Sequence, residues 1–284
     1  MIERAYLEIG NICNLSCSFC PKTSRPPYQI TVEEFSDTVK KLKGKVGYLY
    51  LHVMGEPLLH PHLDEFLRIL EADSLPVCIT TNGTLLSSSA ELLLSHAKVL
   101  HKVSVSIHSL EGNGKESLMR EYIAAVADFA KRASEAGIYT VMRLWNADSE
   151  EKQGKNASNG EVLELLKREF LGEWQERRCG YRMMKNVFLE YAEIFTWPTE
   201  SHASARECGR CHGLLDQIAI LADGTVVPCC LDSEGEISLG NIRTSTLDEI
   251  LASPRAALMK NGLLSGRFTE ELCKRCSYAN RFSK

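Results

Sequence analysis

A chain of 284 residues, 44% of them hydrophobic, can bury one medium-sized core and carry a smaller appendix. Its formal charge of −4 supplies no global basic field, which argues against long nucleic acid as a substrate. The basic run Lys40, Lys41, Lys43 and Lys45 reads as a solvated helix end. No stretch approaches the roughly 18 apolar residues that span a bilayer, and Met1-Ile-Glu-Arg4 leads directly into a strand without an apolar h-region. A cytoplasmic protein without a membrane partner is therefore expected. In a reducing compartment its 11 cysteines point to metal rather than disulfides. Nine cluster along the chain; Cys78 reads as a buried strand thiol, and Cys179 has no assignment.

In chain order, short apolar strands are predicted at 5–9, 46–53, 77–80, 102–107, 139–144 and 187–190. Helices are predicted at 32–42, 63–72, 90–95, 116–136 and 161–170, the first opened by a Thr31/Glu34 capping box and the fourth closed by Gly137. Such alternation implies an α/β fold with parallel strands, whose strand ends collect functional groups. Directly after the first strand stands Cys13-Asn-Leu-Ser-Cys17-Ser-Phe-Cys20. A four-iron cluster normally takes four thiolates, so this loop leaves one iron open to solution. Zinc, which prefers closed tetrahedral sets, finds no fourth ligand nearby. The polar stretch 145–160 reads as a loop after the fifth strand.

Beyond Pro198 the chain changes character. Cys208-Gly-Arg-Cys211 precedes a predicted hairpin, 217–221 and 226–229, around Asp223-Gly224, ending in Cys229-Cys230. Leu239-Gly-Asn-Ile242, a helix capped at Ser245, and Cys273-Lys-Arg-Cys276 follow. The hairpin brings Cys211 and Cys229 into one neighbourhood. Iron-sulfur and zinc both remain open for this set.

The C-x3-C-x2-C run with Phe19 before its third cysteine resembles the radical S-adenosylmethionine (SAM) enzymes. Gly55-Glu56-Pro57 after the second strand and Thr80-Thr81-Asn82-Gly83 after the third are similar to further motifs of that family, in the same order. Residues 208–276 resemble its SPASM auxiliary-cluster extension. The resemblance implies a partial (β/α)6 TIM-like barrel over 1–197 and a small iron-sulfur extension over 198–284. It implies a [4Fe-4S] cluster on Cys13, Cys17 and Cys20 whose fourth iron is chelated by SAM, and a second auxiliary [4Fe-4S] cluster. For the latter Cys211, Cys229, Cys273 and Cys276 are the expected ligands, with Cys208 and Cys230 in reserve.

Carried over motif by motif, Gly55, Glu56, Pro57 and Asn82 would surround the methionine moiety, backbone carbonyls or Glu56 accepting from its ammonium. Ser106 and His108, ahead of Ser104, would contact the ribose, and Arg143 would suit the SAM carboxylate as a fork donor. His52 and His60, flanking the Gly-Glu-Pro turn, and Glu190 and Tyr191 on the sixth strand are candidates to touch substrate. The implied reaction is reductive cleavage of SAM to a 5′-deoxyadenosyl radical that takes hydrogen from substrate, fed by a donor such as flavodoxin or ferredoxin. Because the chain starts on its first strand, without room for a leader-binding domain, a compact small-molecule substrate is expected. The overall size and layout are similar to queuine lyase, which would release a 7-deazaguanine base, Glu190 facing its guanine-like edge. The alternatives are a maturase of a ribosomally made peptide and a non-enzymatic metal scaffold.

Overall fold

The computed structural model describes residues 1–147, 157–193, 195–198 and 206–282. Of the polar stretch 145–160, residues 148–156 lie outside the described residues. Six parallel strands form the centre: β1 (Ile2–Leu7), β2 (Val46–Tyr50), β3 (Val77–Thr81), β4 (Leu100–Ser106), β5 (Tyr139–Ala147) and β8 (Val187–Glu193). The expected barrel strands are all present, each within a few residues of its predicted ends.

Helices α1 (Val32–Leu42), α2 (Leu63–Asp73), α3 (Leu86–Ser95), α4 (Met119–Glu135) and α5 (Ala157–Glu169) cover one face. Their apolar residues recur at three- and four-residue spacing, as a helix burying one stripe requires. In α1 the buried set is Phe35, Thr38, Val39 and Leu42, and in α2 Leu63, Phe66, Leu67 and Leu70. Phe35 stacks on Phe66 at 4.1 Å between ring centres, joining the two helices. Thr31 and Glu34 form the reciprocal capping box, and Gly137, at φ +88°, ends the fourth helix.

Two features depart from the sequence expectation. The chain enters β8 from an antiparallel hairpin, β6 (Gln175–Arg177) and β7 (Gly180–Met184), rather than from the fifth helix. Cys179 sits in its turn, exposed. The second departure concerns the extension. Its hairpin, β9 (Gln217–Ile220) and β10 (Thr225–Val227), lies where expected, but β9 pairs in parallel with β1 through Arg4/Gln217 to Leu7/Ile220. With β11 (Gly240–Asn241) the result is one open sheet in the order β11-β10-β9-β1-β2-β3-β4-β5-β8-β7-β6. The extension thus covers the free edge of β1, which would otherwise present unpaired backbone groups.

Helices α6 (Leu247–Leu251), α7 (Pro254–Leu264) and α8 (Glu271–Arg275) complete the extension. Thr246, not Ser245, caps α6, through a capping box with Glu249. The lysine run at the end of α1 is occupied rather than merely solvated. Lys41 reaches the carbonyls of Ile242, Arg243 and Ser245, while Lys43 and Lys45 pair with Asp73 and Asp248.

A buried ion pair locks the two parts together. Glu8, 0% exposed, accepts both guanidinium arms of Arg25 at 2.7 and 2.8 Å. It also accepts the amides of Met54 at 3.1 Å and Ala222 at 2.9 Å. Arg25 Nε donates to the Ser233 carbonyl at 2.8 Å. One carboxylate thereby joins the end of β1, the chain after the cysteine loop, the loop after β2 and the turn of the β9–β10 hairpin.

Candidate active site and cysteine clusters

The strand ends deliver the three motifs to one place. Gly55 has φ +79°, and a Cβ there would collide with the Gly10 carbonyl, so only glycine lets this turn lie against the start of the cysteine loop. Glu56 N–H then donates to the Ile12 carbonyl at 2.9 Å.

The Glu56 carboxylate is buried and accepts from Leu58 N at 3.1 Å, Thr81 Oγ1 at 2.7 Å and Asn82 N at 2.7 Å. These bonds brace the turn after β3 and leave Oε2 with a single donor, one acceptor position short of full use. Burial raises its pKa from the ordinary carboxylate value in spite of them. Asn82 in turn donates to Asn14 Oδ1 at 2.9 Å and to Cys13 Sγ at 3.8 Å, and accepts from Thr84.

The cysteine loop has a second clamp. Asn113, in the 3-10 turn Glu111–Asn113 after β4, donates to Cys17 Sγ at 3.0 Å and accepts from Ser16 N at 2.8 Å. Ser18 N donates to the Gly112 carbonyl at 2.9 Å, and the Phe19 ring lies on His108 at 4.7 Å. Burial raises the pKa of Cys13 and Cys20, so thiolates here call for a bound cation. Three thiols, Cys13 exposed and Cys17 and Cys20 half-buried, with side-chain amides on two of them and no fourth cysteine in the loop, fit a cluster with one open iron.

Next to the loop opens a cavity of about 370 Å³. Its wall is aromatic, from Tyr6, Phe19, Tyr50, Trp145, Trp197 and Tyr278 among others, with Arg4, Arg143, His52, His108, Ser106 and Cys230 supplying polar groups. No Asp or Glu among the described residues lines it. His52 Nδ1 and Arg143 Nε are buried there without a hydrogen-bond partner. Burial, reinforced by Arg143 and Lys102, lowers the His52 pKa to about 3. His108 is expected on the fourth strand but stands in the 3-10 turn Ile107–Ser109 that follows it. Its Nδ1 lies 2.9 Å from the Arg143 carbonyl, which fixes the proton on that nitrogen and leaves Nε2 as an acceptor. Burial lowers its pKa to about 4.

Several expected site residues are elsewhere. Ser104 is buried and absent from the cavity wall. Tyr191 lines a separate groove with Phe170, Trp174 and Tyr181; neighbours on a strand face opposite ways, so Glu190 and Tyr191 cannot serve one cavity together. Glu190, paired in register with Arg143, is also missing from the wall, and its charge acts on Lys102. His60 packs on Phe66 at 4.6 Å in the helical layer. The alternation of β8 predicts the Tyr191 outcome once Arg143 is known to face inward. Asn113 and Glu8 had no motif to announce them.

In the extension, Cys211, Cys229, Cys273 and Cys276 line one small pocket with Leu231, Asp232, Ile237 and Phe268. Burial raises the pKa of all four thiols, and the charges of neighbouring cysteines add to the effect for Cys211, Cys229 and Cys273. Four such thiols become thiolates together only around a positive metal core. Cys208 is exposed, in an isolated bridge to Arg267. Cys230 turns the opposite way from Cys229, into the barrel cavity, where it bonds Tyr6 and burial lifts its pKa to about 11. Among the described residues no three Cys, His, Asp or Glu side chains converge closely enough for a single metal ion.

A partial barrel with a three-cysteine loop at its strand ends, joined to an extension in which four of six cysteines line one pocket, is the layout of an iron-sulfur enzyme. Residues 7–149 match the radical SAM superfamily, and residues 207–277 match the iron-sulfur cluster-binding SPASM domain. The chain belongs to the radical SAM superfamily. It is accordingly an enzyme that uses SAM and a [4Fe-4S] cluster, with an auxiliary iron-sulfur site in its extension, which removes the zinc and scaffold alternatives.

GTP 3′,8-cyclase of Chlorobaculum tepidum is 32% identical over 123 residues, 42% of this chain and 37% of the cyclase. Two Bacillus subtilis proteins match far more of the chain. The antilisterial bacteriocin subtilosin biosynthesis protein AlbA is 24% identical over 272 residues, 88% of this chain and 59% of AlbA. The sporulation killing factor maturation protein SkfB is 24% identical over 282 residues, 89% of this chain and 66% of SkfB. The chain thus spans little more than a third of the cyclase and about three fifths of AlbA.

Among solved structures, SAM-bound SuiB of Streptococcus suis superposes with a TM-score of 0.64 at 16% identity, over 98% of this chain and 71% of SuiB. SuiB has also been solved with its precursor peptide SuiA. BtrN in complex with AdoMet and 2-DOIA gives 0.58 at 17% identity, over 98% and 93% of the two chains. At these identities the likeness is one of fold.

Proposed function

We propose that this chain is a radical SAM/SPASM maturase acting on a ribosomally made peptide. The observation that carries the proposal is coverage: AlbA and SkfB align with 88% and 89% of this chain and are named for bacteriocin biosynthesis and killing-factor maturation. The cavity chemistry agrees. Its aromatic wall suits a peptide side chain, whereas a 7-deazaguanine base calls for a carboxylate, and no described Asp or Glu lines the cavity. The queuine lyase reading loses its motivated residue, Glu190.

In this proposal Cys13, Cys17 and Cys20 hold the cluster, and Cys211, Cys229, Cys273 and Cys276 hold the auxiliary one. When bound, the cluster and SAM supply a 5′-deoxyadenosyl radical able to take hydrogen from an unactivated carbon. The chain's own work is orientation and the exclusion of water. Gly55 and Pro57 shape the turn beside the cysteine loop, and Asn82 fixes that loop. Ser106 and His108 Nε2 accept from ribose hydroxyls, and Arg143 binds the SAM carboxylate as a two-pronged donor. His52, neutral and with a free ring nitrogen, contacts substrate. Residues 1–197 act as the barrel unit and 198–284 as the auxiliary unit, in the cytoplasm, with flavodoxin or ferredoxin as electron donor.

The test is anaerobic incubation of reconstituted enzyme with SAM, reductant and short peptides encoded beside its gene, followed by mass spectrometry. A mass change in one peptide with matching 5′-deoxyadenosine is expected. Substrate-dependent 5′-deoxyadenosine from queuine or another small molecule, with every peptide unchanged, would overturn the proposal.

A further inference from the structure

We propose that Asn113 sets the ease of one-electron reduction of the three-cysteine cluster by donating a hydrogen bond to the Cys17 sulfur. The inference rests on the reading that Cys17 is an iron ligand. Asn113 Nδ2 lies 3.0 Å from Cys17 Sγ, a short contact for an amide on sulfur. The orientation of the side-chain amide is fixed by chemistry, because Nδ2 also faces the Ser109 carbonyl at 2.7 Å and Oδ1 faces the Ser16 amide at 2.8 Å. Flipping the amide would set carbonyl against carbonyl and N–H against N–H.

The turn that carries Asn113 is pressed onto the loop. A Cβ on Gly112 would come within 2.7 Å of the Phe19 ring and 3.3 Å of Cys17 Cβ, and Gly114, at φ +62°, closes the turn directly after Asn113. In the metal-free chain Cys17 can donate to the Ser109 carbonyl at 3.9 Å. An iron-bound sulfur carries no proton, so the Asn113 donor is the contact that persists.

Hydrogen bonds to cluster sulfurs help set reduction potentials, since they offset the negative charge of an added electron. Asn113 thereby favours the reduced state. Asn82, 3.8 Å from Cys13 Sγ, is a weaker version of the same device. Asn113 touches none of the reacting atoms and is a positioning residue.

The experiment is a redox titration of the reconstituted full chain, following the reduced-cluster EPR signal that SAM addition perturbs, so that the auxiliary cluster is not counted. Asn113→Leu should make one-electron reduction about tenfold less favourable, which is 59 mV downward for a one-electron couple, with iron content unchanged. It should also remove an exchangeable-proton coupling from that signal in heavy water. Asn113→Ala removes the donor without adding charge or bulk, and decides the matter if the leucine variant fails to hold iron. Unchanged potential and unchanged proton coupling in an iron-replete variant overturn the proposal. Cys17→Ala separately tests the underlying ligand reading: if the SAM-sensitive signal survives that change, Cys17 is not a ligand.

Discussion

Replacing Glu8 with alanine should destabilise the whole molecule, because one carboxylate serves four segments. The substitution leaves the Arg25 guanidinium, whose side chain is 14% exposed, without its partner and strips the amides of Met54 and Ala222 of their acceptor. Breaking a buried pair from one side costs about 3–5 kcal/mol. Each stranded amide adds to that cost, though the terms share one site and do not sum. Against a typical total of about 5–15 kcal/mol the loss is a large fraction. With a urea slope of about 1–3 kcal/mol per molar, the midpoint should fall by a molar or more. The assay is anaerobic urea unfolding followed by tryptophan fluorescence, on Glu8→Ala, Arg25→Leu and the Glu8→Ala/Arg25→Leu pair. Removing both charges should cost less than the sum of the single changes by about 2 kcal/mol. A loss under about 1 kcal/mol in Glu8→Ala, or strict additivity in the pair, would refute the reasoning.

Gly55→Ala should cost about 1–3 kcal/mol through its left-handed backbone alone, before the collision with Gly10 is counted, and should lower iron retention at the first site; thermal melts and iron assay read both. Cys208→Ser and Cys230→Ser should keep the auxiliary cluster, and Cys229→Ser and Cys273→Ser should lose it, as scored by iron per chain. Tyr191→Phe should leave SAM cleavage at the wild-type rate, since the ring packs on the helical face. The folded-state pKa values of His52, His60 and His108 are depressed to about 3, 4 and 4. The unfolded chain therefore takes up protons that the native chain refuses as pH falls through 6.5, and stability is lost from there down to about pH 4 for His60 and His108 and about pH 3 for His52. His108→Gln should flatten that acid limb by up to about 1.4 kcal/mol per pH unit.

Periodicity was enough to place the six barrel strands and five covering helices, because helices with an apolar stripe and strands buried on both faces leave different patterns. Motif spacing drew the cysteine loop and the Gly-Glu-Pro and Thr-Thr-Asn-Gly turns to one end of the sheet. What escaped depends on pairing at long range. The parallel match of β9 with β1 joins residues more than two hundred positions apart, and no local pattern encodes it. The β6 strand, Gln-Glu-Arg, is wholly exposed and carries no alternation to detect. Glu8 and Asn113 belong to no motif, and only the fold brings their partners to them. Cys229 and Cys230 stand in the bend and turn after β10, where no strand alternation applies, and adjacency in sequence left their facing open.

The claim at the centre is that this chain holds two different centres, one open for SAM and one closed by four thiolates. Counting iron and sulfide after anaerobic reconstitution, together with SAM cleavage, tests it directly when done on the wild type and on Cys13→Ala/Cys17→Ala/Cys20→Ala. The wild type should hold about eight irons and the triple variant about four, and the wild type alone should yield 5′-deoxyadenosine. Retention of SAM cleavage in the triple variant, or about four irons in the wild type with none lost on triple substitution, would contradict that claim.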